Sequence, residues 1–341
     1  MKRTLDSAAA GAGDRLALVG PDGQFADVPA DLAGLRTVFV EAWGLSGYSA
    51  RPFVPGMHPR SLLRADLAAV GPATLVGAKS DGDRMQVVLL ASKVLALVDR
   101  GFRVEFSARE PGLALGVTVL DAELVGRQLL VHDAVMVHGS RLLDRPFATR
   151  LQAVARVLPI LAPVLDRHGY QLVAKPFARL DAADLAGLLA PGSDGVILAD
   201  PAAKLRNGVS PPGALLKWKS QHTVDLWFWS GCWWCGDRDA TRPVRLAGLG
   251  LAQADPGAPP SFQELSNRAP VFEVLLSSQP GLPQEQHQEP TPDPELAGLA
   301  ATVERRREDK CTANDWLVVQ RTAQNAREDV QLAEIQARAR T

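Results

Sequence analysis

The sequence predicts an α+β fold: antiparallel sheets with flanking helices, then a smaller β domain and a terminal helix. Three observations carry this expectation. Short β-rich apolar stretches come in runs, each closed by Gly, Asp or Pro; helical patterns interrupt them only occasionally; and the texture changes after residue 229, where Pro- and Gln-rich loops separate short strands.

In chain order, residues 1–15 read as a loose Ala- and Gly-rich tail. Strands are expected at LVGAKS (75–80), MQVVLLAS (85–92), KVLALVD (93–99), GVTVLDAELV (116–125) and QLLVHDAVMV (128–137). The stretch 145–169 repeats apolar residues at i, i+3 and i+4 and ends at Gly169, so it predicts a helix. A second helix is expected over 180–190, opened by Asp181 and stopped by Pro191. KWKSQHTVDLWFW (217–229) reads as one strand, the segments 253–261 and 279–294 as loops, and 316–340 as an uninterrupted amphipathic helix. The expected segmentation is a tail at 1–15, a first domain at 16–229, a β domain at 230–318 and a C-terminal helix at 319–341.

Composition excludes several classes. With 29 glycines and 25 prolines in 341 residues, the chain stays below the ~25–30% that marks low complexity, and 46% hydrophobic residues supply a core. A net charge of −1 leaves no global positive field for a nucleic-acid duplex, so any such contact must be local. Three cysteines do not make a disulfide framework and point to a reducing, intracellular setting. No window of about 18 consecutive apolar residues occurs, and no membrane partner is expected.

Only eight of the 37 basic residues are lysines, so each is informative. Lys79 lies in GAKSDGDR, between two apolar strands. It is either a nucleophile in a charged pocket or part of a hairpin turn formed by Asp81-Gly82. Lys217 and Lys219 in LLKWK stand two apart on a strand and share a face, which calls for an anion such as phosphate, or marks a solvated edge strand. Lys310 follows Arg305, Arg306 and Arg307 and lies beside Asp309, in a run that also reads as a solvated face. Asp121 and Glu123 sit in an apolar strand, where carboxylates must be paired or metal-bound, and Asp194 opens another strand.

The order Lys-x-Asp-Gly-x-Arg, Asp-x-Glu, Asp-Gly-Val-Ile, Lys-Trp-Lys, Arg-x-Asp-Lys-x-x-x-Asn resembles the covalent nucleotidyltransferase superfamily of mRNA capping enzymes and polynucleotide ligases. FVPGMHPRSL at 53–62, LVDR at 97–100, RPFATRLQAV at 145–154 and Thr223-Val224-Asp225 after the paired lysines are similar to the RNA guanylyltransferase branch. The resemblance covers roughly residues 53–325. It implies a nucleotidyltransferase domain and a hinged OB-fold β-barrel lid.

In chemistry, it implies that Lys79 attacks the α-phosphate of GTP, holds GMP as a phosphoramidate and passes it to 5′-diphosphate RNA to form a GpppN cap. Lys217 and Lys219, with Mg²⁺ or Mn²⁺, would stabilise the charge that develops, and Arg84 would bind the ribose or phosphate side. Glu123 and Asp194 would contact sugar hydroxyls or the metal, while Arg307, Asp309 and Lys310 would orient the β and γ phosphates. Lys175 matches a family lysine that donates to guanine O6. His132 stands where the family often has an aromatic, and reads as a base contact or a core histidine.

Cys232-Trp-Trp-Cys235 supplies two zinc ligands where a structural site needs four; Cys311 lies in the Arg-x-Asp-Lys motif, and His222 and His287 could in principle complete a site. Trp227, Trp229, Trp233 and Trp234 read as core between the domains or as a platform for RNA bases. An RNA triphosphatase and a cap methyltransferase are expected as separate partners, with RNA polymerase as a further one, in a nucleus or viral replication compartment. The alternatives are an ATP-dependent RNA or DNA ligase of the same superfamily, and a non-catalytic module that binds RNA ends.

Overall fold

The computed structural model describes residues 18–19, 25–26, 32–46, 54–189, 192–237, 242–246, 260–278, 296, 299–308, 310 and 312–340. The expected tail at 1–15, the loop at 279–294, Asp309, Cys311 and His287 lie outside them. Two units interleave along the chain, where composition suggests linear segments. The first comprises 1–58, 80–176 and 201–210, and the second 59–79, 177–200 and 211–341.

The first unit is built on a seven-stranded sheet. Its strands run in the order Ser140–Arg141, Gln128–Val137, Thr118–Val125, Asp83–Leu89, Val94–Asp99, Val104–Arg109, with Gln171–Ala174 added parallel to Gln128–Val137. Helix α1 (Leu32–Trp43) sets Phe39 edge-on to Phe102 at 5.7 Å. Helix α2 (Phe147–Arg167) lays Val154, Val157, Leu161 and Leu165 on Val87, Leu97, Leu120 and Leu129 of the sheet. This period-3.6 stripe meeting alternate strand positions is what the sequence pattern requires. By length and composition α2 could cross a membrane, yet that stripe and Arg150 are buried here within the protein.

The second unit holds two five-stranded sheets. One, the lysine sheet, has the order Ala178–Arg179, Leu75–Ser80, Ser193–Ala199, Leu215–Lys219, Arg60–Ser61. The other, C-terminal, sheet has the order Pro243–Arg245, Cys232–Gly236, His222–Trp229, Val271–Ser278, Leu299–Arg306, and all its pairings are antiparallel. The α+β class is therefore observed. Among the described residues the end strands of the C-terminal sheet do not pair with each other, so a closed barrel is not seen.

Helix α3 (Phe262–Arg268) covers one face of the C-terminal sheet through Leu265, and helix α4 (Trp316–Glu328) covers the other through Val319, Ala323 and Ala326. Helix α5 (Leu332–Ala337) places Ile335 in the core of the lysine sheet with Leu216 and Trp218.

Three expected elements come out differently. The strand at 217–229 is two strands in two sheets, broken at Ser220-Gln221. The helix at 180–190 is reduced to single turns at Leu180–Ala182 and Gly187–Leu189: Leu180 and Leu185 are buried in the core, Ala183, Leu188 and Leu189 pack against it, and Gly187 weakens a continuous helix. The terminal helix breaks at Asp329, whose φ of 39° is left-handed. The break lets the Val330 carbonyl accept the Trp218 indole N–H at 2.6 Å and Val330 enter the lysine-sheet core, a tertiary gain no local pattern announces.

Candidate active site

Lys79 is the penultimate residue of the Leu75–Ser80 strand, and Asp83–Leu89 begins in the other unit's sheet, so Asp81-Gly82 is not a hairpin turn. Next to Lys79 in the lysine sheet, Asp194 opens Ser193–Ala199, and Gly195 pairs with Lys219. Any side chain at Gly195 would collide with the Trp218 carbonyl, so glycine is what allows these strands to close. The result is a carboxylate shared by two lysines: Lys79 Nζ donates to Asp194 Oδ1 at 2.7 Å, and Lys219 Nζ lies 2.5 Å from Oδ2.

Burial pushes the Asp194 carboxyl up, but the Lys219 and Lys79 hydrogen bonds outweigh it and hold it below the usual carboxylate range. Lys217 shares the face of Lys219, while Leu216 and Trp218 enter the core on the other side. Among the described residues its Nζ makes no hydrogen bond or ion pair. Burial first, then the Lys219 and Lys79 charges, pull the Lys217 pKa down to about 8. Three ammonium groups around one carboxylate leave a positive surplus suited to phosphate oxygens.

In the C-terminal sheet of the same unit, Arg307 Nη1 donates to Asp225 Oδ1 at 3.0 Å and Lys310 Nζ to Asp225 Oδ2. Asp225 is the acid of the Thr-Val-Asp segment. Its backbone N–H donates to Asn314 Oδ1, and the Asn314 N–H donates to its carbonyl, both at 2.7 Å. Thr223 and Arg305 hold Glu273 alongside, at 3.0 and 2.7 Å.

The first unit gathers a separate set. Arg84 forks onto Asp121, with Nε to Oδ1 at 2.8 Å and Nη2 to Oδ2, and its Nη1 reaches the Met57 carbonyl at 3.1 Å. Asp121 is buried, which raises its pKa, but Arg84 and then His132 drive it well below the usual range. The acid in the apolar strand is thus paired with arginine rather than left for a metal. The Pro-Gly segment supports the fork: the Pro55 carbonyl accepts from Gln86 Nε2 at 2.8 Å, and Gly56 leaves the space the guanidinium fills.

His132 is the extra residue of a bulge between Val131 and Asp133. Its Nε2 lies 3.6 Å from Asp121 Oδ1, and its buried Nδ1 has no partner among the described residues. Lys175 is buried beside it, its backbone N–H bonded to the Val131 carbonyl at 2.8 Å. Glu123 sits opposite Arg84 in the strand register.

Lys79, Asp194, Lys217 and Lys219 thus form one cluster and Arg307 with Lys310 another, both in the second unit; Arg84, Glu123, His132 and Lys175 belong to the first. Glu123 and Asp194, read from the sequence as a metal pair, fall in different units, and among the described residues no group of three or more His, Cys, Asp or Glu side chains could hold a metal. Both Asp194 oxygens already accept from lysines. A Mg²⁺ or Mn²⁺ ion would therefore take most of its ligands from nucleotide phosphates and water, as Mg²⁺ commonly does.

Cys232 and Cys235 are buried on opposite faces of the C-terminal sheet, Cys232 with Trp227 and Trp234 and Cys235 with Trp233, so they cannot share a metal or a disulfide. Trp227, Trp233 and Trp234 fill the two cores of that sheet and offer no platform for bases.

Two residues that sequence reasoning passed over are Asp225, noticed only as part of a family signature, and Arg150. Arg150 is fully buried on Asp133, with Nε to Oδ1 at 2.7 Å. In each case the available signal was a charged residue inside an apolar stretch.

No protein-family model matches the chain, and no curated protein matches it in sequence. Among solved structures it is similar to a mycobacterial DNA ligase D complexed with ATP, at 15% identity and TM-score 0.42 over 77% of this chain and 97% of that one. It is also similar to the ATP-dependent DNA ligase of bacteriophage T7, at 12% identity and TM-score 0.40 over 73% and 98%. A third likeness is to the Chlorella virus DNA ligase-adenylate, at 12% identity and TM-score 0.36 over 66% and 95%. At these scores the function rests on the residues of the site.

Proposed function

We propose that the protein is a covalent nucleotidyltransferase with Lys79 as nucleophile, and specifically an RNA guanylyltransferase. The observation that carries the reading is the Lys79–Asp194–Lys219 cluster with Lys217 beside it: three ammonium groups, one carboxylate, and one ammonium left without a partner among the described residues. A binding module has no need of a lysine held on a strand end at the centre of such a set.

In the first step Lys79 Nζ gives up one proton and attacks the α-phosphorus, the bond to the bridging oxygen breaks, and pyrophosphate leaves; a second proton leaves Nζ as the lysyl phosphoramidate forms, both protons passing to solvent or to the departing pyrophosphate. Lys217 and Lys219 stabilise the charge on the phosphate oxygens, and bound Mg²⁺ or Mn²⁺ would neutralise the leaving group. Asp194 keeps Lys79 and Lys219 in register. In the second step the terminal phosphate oxygen of 5′-diphosphate RNA attacks the same phosphorus, and the P–N bond breaks as Nζ takes up protons from solvent, restoring Lys79. The proposed GTP preference and cap formation rest on the resemblance of Thr223-Val224-Asp225, after the paired lysines, to the RNA guanylyltransferase branch; separate triphosphatase and methyltransferase partners would complete the cap.

Incubation with α-labelled GTP or ATP, followed by denaturing electrophoresis, tests both levels. Label from GTP that pyrophosphate reverses and Lys79→Ala lacks is the expected result. Label from ATP alone would replace the guanylyltransferase with a ligase, and no label from either would remove the covalent reading.

A further inference from the structure

Helix α4 packs Val319, Ala323 and Ala326 against the C-terminal sheet. Its opposite face meets Arg64, just beyond the edge strand of the lysine sheet: the Arg64 backbone N–H donates to Glu328 Oε2 at 2.5 Å and Arg64 Nη2 to the Glu328 carbonyl at 2.8 Å, while Arg64 Nη1 donates to Glu334 of α5. Arg64 lies three residues beyond Ser61 of the edge strand Arg60–Ser61; α4 packs beside this strand, and Ser61 pairs with Lys217.

Arg321 lies seven residues before Glu328, two helical turns and about 10 Å along the axis, so it stands on this same outward face. It is exposed, and near enough to Lys217 for its charge to help hold that ammonium below its ordinary pKa. Among the described residues Arg321 makes no ion pair with a carboxylate. Two cations brought together without a carboxylate between them repel, unless an anion joins them.

We infer that Arg321 and Lys217 form a phosphate-binding pair, so that helix α4, outside every motif of the sequence, contributes a cation to the lysine-sheet site. The inference rests on the reading that Lys217 faces substrate phosphates. The ligand chemistry is a phosphate oxyanion, supplied either by the departing pyrophosphate or by the phosphorylated end of the acceptor.

The direct test is calorimetric titration of the full chain with inorganic triphosphate. Arg321→Gln should weaken binding about 5- to 10-fold, with Arg321→Lys recovering part of the loss. Arg156→Gln, on an exposed face of α2, should bind as the parent does. In the double variant with Lys217→Gln the losses should be less than multiplicative. A thermal midpoint matching the parent protein's shows that Arg321→Gln folds.

Slower adduct formation with nucleoside triphosphate would assign the pyrophosphate as source. Normal adduct formation with slower transfer would assign the acceptor. An unchanged dissociation constant for Arg321→Gln, or no triphosphate binding by the parent protein, overturns the pair. Intact triphosphate binding without any covalent label would instead sink the nucleotidyl-transfer reading and leave the pair standing.

Discussion

Asn314 grips Asp225 from both sides of its peptide: the side-chain oxygen accepts the Asp225 N–H and the Asn314 N–H donates to the Asp225 carbonyl, each at 2.7 Å. The last residue of the Arg-x-Asp-Lys-x-x-x-Asn motif thereby fixes the loop carrying Arg307 and Lys310 to the strand whose carboxylate both cations share.

Asn314→Ala should leave a part-buried backbone N–H unpaired and cost about 1–3 kcal/mol. The denaturant midpoint measures that cost, and adduct formation should fall with it as Arg307 and Lys310 lose their register. A variant with parent stability and parent labelling would show that the clasp is incidental.

Lys217 makes opposite predictions for folding and binding. Its pKa near 8 lies below the ordinary 10.5, so between those values the unfolded chain holds a proton that the folded protein lacks, and this group's contribution to stability rises with pH across that window. Phosphate binding needs the charged form and should weaken as pH rises through about 8, with Lys219, Lys79 and Arg321 opposing reprotonation and Asp194 favouring it. Titrations with inorganic triphosphate at pH 7 and pH 9 should show this drop, and Lys217→Arg should flatten it.

Gly56→Ala should disrupt Arg84. The added methyl would occupy the guanidinium's place, and Arg84 cannot yield without leaving Asp121 or the Met57 carbonyl. A loss of about 1–3 kcal/mol in urea unfolding is expected, as for overpacking. Parent stability would mean that the segment moves aside.

Arg150→Ala should be among the most damaging single changes. Arg150 bonds both oxygens of Asp133, at 2.7 and 3.0 Å, and the carbonyls of Arg145 and Ala203, at 2.6 and 2.8 Å. Its removal strands a buried carboxylate whose pKa burial already raises, at a cost of about 3–5 kcal/mol. Replacing both partners with apolar residues of similar volume should recover much of this, which thermal unfolding of the double variant would show.

The strands Leu75–Ser80, Val94–Asp99 and Gln128–Val137 and helix α2 were legible in the sequence because their apolar spacing reflects one local geometry repeated over several residues. The shared face of Lys217 and Lys219 was legible for the same reason: strand periodicity is a property of the backbone itself. So were the residue types of the site, since Lys79, Asp194, Lys310 and Asn314 stand in an ordered motif series.

What only the tertiary structure decided are the relationships that depend on distant segments meeting. Nothing local shows that 217–229 divides between two sheets, that the last helix breaks at Asp329 so that Val330 meets Trp218, or that Asp225 is the common partner of Arg307 and Lys310. Pairing partners are chosen by burial and by the cost of leaving a charge without one, and both are settled by the folded chain as a whole. The sequence by itself determined which chemistry was available; which carboxylate neutralises each cation, and that Lys217 is left with none among the described residues, was settled by packing.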